Sequence, residues 1–144
     1  LKAGKALDMR HRDLAALEGS ARFLGASTCG ADLRRARLRC GRLEGADLSG
    51  SDLFGASAAA ARLQHANLEG ASLRNAELQT ATLMGAKLGF ADFRGASLRA
   101  AELEGASLGS TDFSGADMSN ASFKSTDGKG VLLHGANLRS AKFC

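Results

Sequence analysis

Proline, tryptophan and tyrosine are absent from the 144 residues, and the only aromatic residues are seven phenylalanines. Without outward rows of aromatic rings, recognition of single-stranded nucleic acid by base stacking is disfavoured. No apolar run is long enough to cross a membrane, so a transmembrane helix is not expected. No signal-peptide pattern is visible. The chain begins at Leu1 rather than Met, as expected of a processed product or a piece of something longer. Nor is there an excess of acid. Lys and Arg number 19 against 15 Asp and Glu, a net charge of +4, which argues against a densely negative rod of the kind a nucleic acid duplex presents. His11, His65 and His134 are scattered and no Cys/His spacing resembles a metal site. No glycine-rich stretch matches a phosphate loop, so neither a metal nor a cofactor is expected, and catalysis is not.

What the chain does have is a period of five. Residues 66–85 read ANLEG, ASLRN, AELQT, ATLMG. A helix repeats near 3.6 residues and a strand at 2, so neither keeps every fifth residue on one face. Taking the Leu as the centre of each unit, the register runs without insertion or deletion through 25 slots from Phe23 to Phe143. Sixteen centres are Leu, five Phe and one Met; only Thr28, Ala58 and Gly128 lack a large apolar group. Two residues before the centre stands Ala in 20 of the 25 units, the exceptions being Gly41, Ser51, Thr111, Thr126 and Val131.

A polygon satisfies this pattern. Each five-residue unit forms one side and then turns a corner, so that the centre and the preceding Ala point inward while three positions face water. Stacked coils bring backbone over backbone at the inter-strand spacing of about 4.8 Å. One bulky side chain per side fills a narrow bore and leaves room only for Ala beside it. Gly or Asn in the fifth slot, as at Gly45, Gly70 and Asn75, suits a corner. The period alone does not distinguish four sides from three.

ADLSG, ANLEG, ADFRG and ANLRS resemble the A-(D/N)-L-x-x unit of pentapeptide-repeat proteins. The resemblance covers residues 21–144 and implies an all-β solenoid. The fold the resemblance implies is a right-handed quadrilateral β-helix of about six 20-residue coils, roughly 30 Å long at that rise. Residues 1–20 break the register. Ala3, Leu7, Leu14 and Leu17 follow helical spacing, which predicts an N-terminal cap; the rival is an irregular first coil centred on Met9 and Leu14. At the other end AKFC stops in full register, leaving Phe143 near an open edge that a second copy or a partner could cover. TDGKGVLLHG (126–135) has Gly128 where Leu belongs, and a bulge or loose corner is expected there.

On four sides, Cys29 and Cys40 lie about half a coil apart and Cys144 more than five coils further on, so free thiols are expected, weakly favouring a reducing compartment. Asp32, Asp52, Asp92 and Asp112 form one outer column beside Arg34, Arg74 and Arg94, which predicts a neutralised, solvated face. Arg22, Arg34, Arg35, Arg37, Arg39 and Arg42 make a basic collar over the first coils, a candidate contact for acidic protein, phosphate or anionic lipid; a solubilising surface is the plainer account. Leu24, Phe54, Met84, Phe90 and Leu132 are the outward apolar residues, with Phe54 and Phe90 the candidate docking anchors. The resemblance and this surface together point to a non-enzymatic structural or protein-interaction module, an accessory subunit of a larger assembly with an unidentified protein partner. Cyanobacterial and plastid-lumen members of the family make a photosynthetic setting and a processed plastid protein possible. Some members protect DNA gyrase by imitating DNA; the positive charge disfavours that alternative.

Overall fold

The computed structural model describes residues 29–144; the expected cap over residues 1–20, and Arg22 and Leu24 with it, lies outside them. The backbone forms a right-handed four-sided coil. Side 1 begins with residues 31–35, side 2 with 36–40, side 3 with 41–45 and side 4 with 46–50, and each recurs every 20 residues. All 19 bridges between coils are parallel and join residues 20 apart, from Asp32 with Asp52 to Ser122 with Lys142.

Three backbone bonds per side explain the period. The centre N–H donates forward to the next coil, as from Leu33 to the Asp52 carbonyl (2.8 Å), and so does the fifth-slot N–H, as from Arg35 to Phe54 (2.8 Å). The N–H after the Ala slot donates back to the previous coil, as from Asp52 to Ala31 (2.9 Å). Corners close within the coil: Ala36 N–H donates to the Leu33 carbonyl at 3.0 Å. The third residue of such a turn has positive φ, the requirement of a type II turn. Every fifth slot from Gly30 to Ser140 obeys it, eleven of them glycine and twelve not.

The bore is filled as the pattern predicts. From Ala31 to Phe123 every centre is buried, as is every Ala of the slot before it. Two polar residues occupy that slot without an unmet bond. Ser51 Oγ donates to the Leu48 carbonyl (2.6 Å) and Thr111 Oγ1 to that of Leu88 (2.7 Å). Burying either hydroxyl unpaired would cost about 1–3 kcal/mol. Towards the C-terminal half the column becomes aromatic. Phe93 stacks on Phe113 (5.0 Å), Phe113 meets Phe123 edge-on (6.2 Å) and Phe123 stacks on Phe143 (5.3 Å).

Two expectations are revised. No bulge forms at 126–135, because Asp127 and Leu132 keep their 20-residue bridges. The other form expected there, a loose corner, is what the chain adopts: the corner bonds from Thr126 to Phe123 and from Val131 to Gly128 stretch to 3.3 Å, as does the ladder bond from Asp127 to Ala106. Exposure of the final coil also reaches beyond Phe143 (52%): Leu133, a centre by register, is 40% exposed, since no coil packs above it.

Candidate functional site

The outer surface is built from the slots on either side of each centre. The fourth-slot N–H has no backbone partner in the coil ladder, and where the residue two before it is Asp or Asn, that side chain supplies one. Asp52 Oδ1 accepts from Phe54 N–H (3.0 Å), Asp112 from Ser114 (2.9 Å), and Asn67 from Glu69 (3.2 Å). Asp and Asn therefore recur before the Leu because a short side-chain oxygen satisfies the exposed donor.

Side 1 carries the carboxylate column, neutralised as its spacing predicts. Arg34 donates from Nη2 to Asp32 (2.7 Å) and its Nε lies 3.7 Å from Asp52. Three coils on, Arg94 repeats this arrangement, with Nε donating to Asp92 at 2.8 Å and lying 3.7 Å from Asp112, while Arg74 approaches Asp92 at 3.9 Å. The hydrogen bond from Arg94 holds the Asp92 carboxyl below its ordinary range, opposed by burial and helped by the charges of Arg94 and Arg74. The same bond raises Arg94. At Asp47 and Asp117 other hydrogen bonds lead, and at Asp117 the charge of Arg99 adds to them. Asp47 is lowered chiefly by the Ser49 hydroxyl, and Asp117 chiefly by the Ser119 backbone N–H.

The collar divides. Arg34 is paired with Asp32 and Asp52, and Arg42 shares Glu44 with Arg62 (3.7 and 2.9 Å). Arg37 is exposed and has interactions of its own. Arg35 and Arg39 are exposed, with no ion pair among the described residues. The two candidate anchors also part. Phe54 is half-buried in the side-1 column between Arg34 and Arg74, whereas Phe90 is 77% exposed on the corner after side 4. Phe90 sits at φ 58, a conformation costly for a bulky L-residue. The sequence signal for that strain was its fifth-slot position, where a turn must have positive φ whatever residue occupies it.

Cys29, Cys40 and Cys144 are free and exposed. Among the described residues no group of three or more His, Cys, Asp or Glu could hold a metal ion. No described helix is long and apolar enough to cross a membrane. His65 is engaged structurally: its ring lies over the corner at Gly85, where an added Cβ would meet Nδ1 at 2.5 Å.

Comparison with known proteins places this geometry. The family model for pentapeptide repeats matches in eight copies, through overlapping segments 20–55, 51–89, 61–100, 91–127 and 101–144. Among solved structures, a pentapeptide repeat protein from the Arabidopsis thaliana thylakoid lumen is 36% identical with a TM-score of 0.64, over 65% of this chain and 66% of its own. The chain thus spans just under two thirds of that relative's length. A pentapeptide repeat protein from the cyanobacterium Cyanothece 51142 is 23% identical over 92% of this chain and 93% of its own, with a TM-score of 0.63. QnrB1, a plasmid-mediated fluoroquinolone resistance protein studied after trypsin treatment, is 19% identical over 94% of this chain and 70% of its own, with a TM-score of 0.50. The last two likenesses carry the fold alone. No curated protein matches the chain.

Proposed function

The chain belongs to the pentapeptide-repeat family, and from that premise we propose that it is a rigid, non-enzymatic protein-interaction module, an accessory subunit of a larger assembly. Phe90 carries the reading. An aromatic ring 77% exposed contributes nothing to the core, and its φ of 58 makes it costly where eleven other corners use glycine. Large rigid aromatics are the anchors on which interfaces concentrate their binding energy. The coil beneath holds the ring without the entropy cost a loop would incur.

The likeness to a thylakoid-lumen protein supports a photosynthetic setting, in a plastid or a cyanobacterium. Affinity purification from thylakoid extract, with wild type and Phe90→Gly side by side, tests the reading. A partner recovered by the first and lost from the second is expected; identical recoveries refute it. Strong inhibition of gyrase supercoiling by the purified chain would replace it with duplex mimicry.

A further inference from the structure

We infer that Arg35, on the corner before side 2, and Arg39, in the fourth slot of side 2, form a docking site for an extended acidic segment of a partner protein. The inference rests on the interaction-module reading but uses a different surface from Phe90. Arg35, Arg37 and Arg39 alternate with the inward Ala36 and Leu38 and are exposed; Arg35 stands on the corner at φ 56 and Arg39 lies in the next turn, so the two flank the short extended stretch 36–38 on the outer face of the coil. Arg35 and Arg39 are separated by four residues, no more than about 13 Å. An extended peptide with carboxylates at every second position reaches this span with acids four residues apart, so two of them face the two guanidinium groups together.

Among the described residues no acid pairs with Arg35 or Arg39. Asp32 and Asp52 are taken by Arg34, and Glu44 by Arg42 and Arg62. On the coil directly above side 2 stand Ser57, Ala59 and Ala60, none acidic. The nearest carboxylate on that side is Glu77, two coils or about 10 Å up, and it already accepts a hydrogen bond from Ser57 Oγ (2.8 Å). Arg35 leans into this space. Its Cγ lies 3.6 Å from where a Cβ on Gly55 would stand, so the aliphatic stem climbs the corner towards the next coil. A chain lying along residues 57–60 would meet arginines below and Glu77 with Gln79 above, which orients it by charge as well as holding it. Nucleic acid fits less well, because the flanking surface offers no exposed aromatic ring for a base.

The test uses the full chain and a fluorescein-labelled peptide of four Glu–Thr repeats, read by fluorescence anisotropy. Binding is expected at about 50 mM salt, weakening steeply towards about 300 mM as the charges are screened. Arg35→Gln/Arg39→Gln should weaken it roughly tenfold or more. The control pair Lys124→Gln/Arg139→Gln, which removes the same charge elsewhere, should leave it within about twofold. Unchanged melting of both variants excludes misfolding. No binding, equal loss in both variants, or tighter binding of a single-stranded oligonucleotide or of phosphatidylserine vesicles would overturn the site. Because the peptide needs no natural assembly, its failure would leave the Phe90 result standing, and the reverse also holds.

Discussion

Leu83→Ala against Leu133→Ala tests the filled bore directly. Both are centres by register, Leu83 in the middle of the tube and fully buried, Leu133 in the final coil and 40% exposed. Truncation removes three carbons, worth about 0.8 kcal/mol each when fully buried, so about 2.4 kcal/mol at Leu83. Leu63 and Leu103 lie below and above Leu83 in its column and cannot collapse into the gap, because each is held by its own coil's hydrogen bonds. The enclosed cavity raises the loss to about 3–4 kcal/mol. At Leu133 about three fifths of the transfer energy is at stake, about 1.4 kcal/mol, and the space left opens to water without a cavity cost. At about 3 °C per kcal/mol for a chain of this size, the melting temperature should fall by about 10 °C and about 4 °C respectively. Urea and thermal unfolding followed by circular dichroism give both numbers. Equal losses, or a Leu83 variant within about 1 kcal/mol of wild type, would refute a tube plugged by one large side chain per side.

Phe90→Gly should abolish partner recovery while leaving stability unchanged or raised by up to about 1 kcal/mol, since relief of the left-handed corner exceeds the entropy added to the unfolded chain; a loss above about 1 kcal/mol would make Phe90 structural. Gly85→Ala should cost about 1–2 kcal/mol in backbone strain and displace the His65 ring, so it should exceed Gly105→Ala, whose Cβ would meet nothing within 4 Å. Adding His65→Ala should recover the difference, and no recovery would remove the ring from the account. The folded-state value of Asp92 is lowered, chiefly by Arg94, so its contribution is fully present above the ordinary value of 3.8 and lost as pH falls through the lower folded one. The gap in urea midpoint between wild type and Asp92→Asn should therefore be constant above about pH 5 and close below about pH 4; a gap unchanged at about pH 2 would contradict the assignment.

The interior was legible because its rule is local. A five-residue unit with one large apolar residue and one alanine states which side chains turn inward, and Leu73, Phe93 and Met118 lie buried where that rule puts them. The column of Asp32, Asp52, Asp92 and Asp112 was legible for the same reason. The corners were less so. Glycine and asparagine pointed to the turns, yet Arg35, His65 and Phe90 adopt the same positive φ. Ladder bonds on both sides hold every corner in one conformation, and that cooperative energy exceeds the preference of any single residue. The stretch at 126–135 keeps its register for the same reason, although Gly128 leaves the bore unfilled.

The candidate site depended on contacts between residues 20 apart in the chain and one coil apart in space. Six collar arginines were visible as a cluster of charge, but that Arg34 and Arg42 are paired followed from Asp52 standing over Arg34 and from Arg42 and Arg62 sharing Glu44. Phe54 and Phe90 looked alike as outward rings until the flanking columns half-buried one and left the other proud. Amino-acid order alone determined which side chains fill the bore, because hydrophobic burial reads only the period; the four sides are fixed by the bridges between residues 20 apart. Tertiary structure decided the surface, because ion pairing and exposure are properties of neighbours that the stacking of coils, and nothing nearer in the chain, brings together.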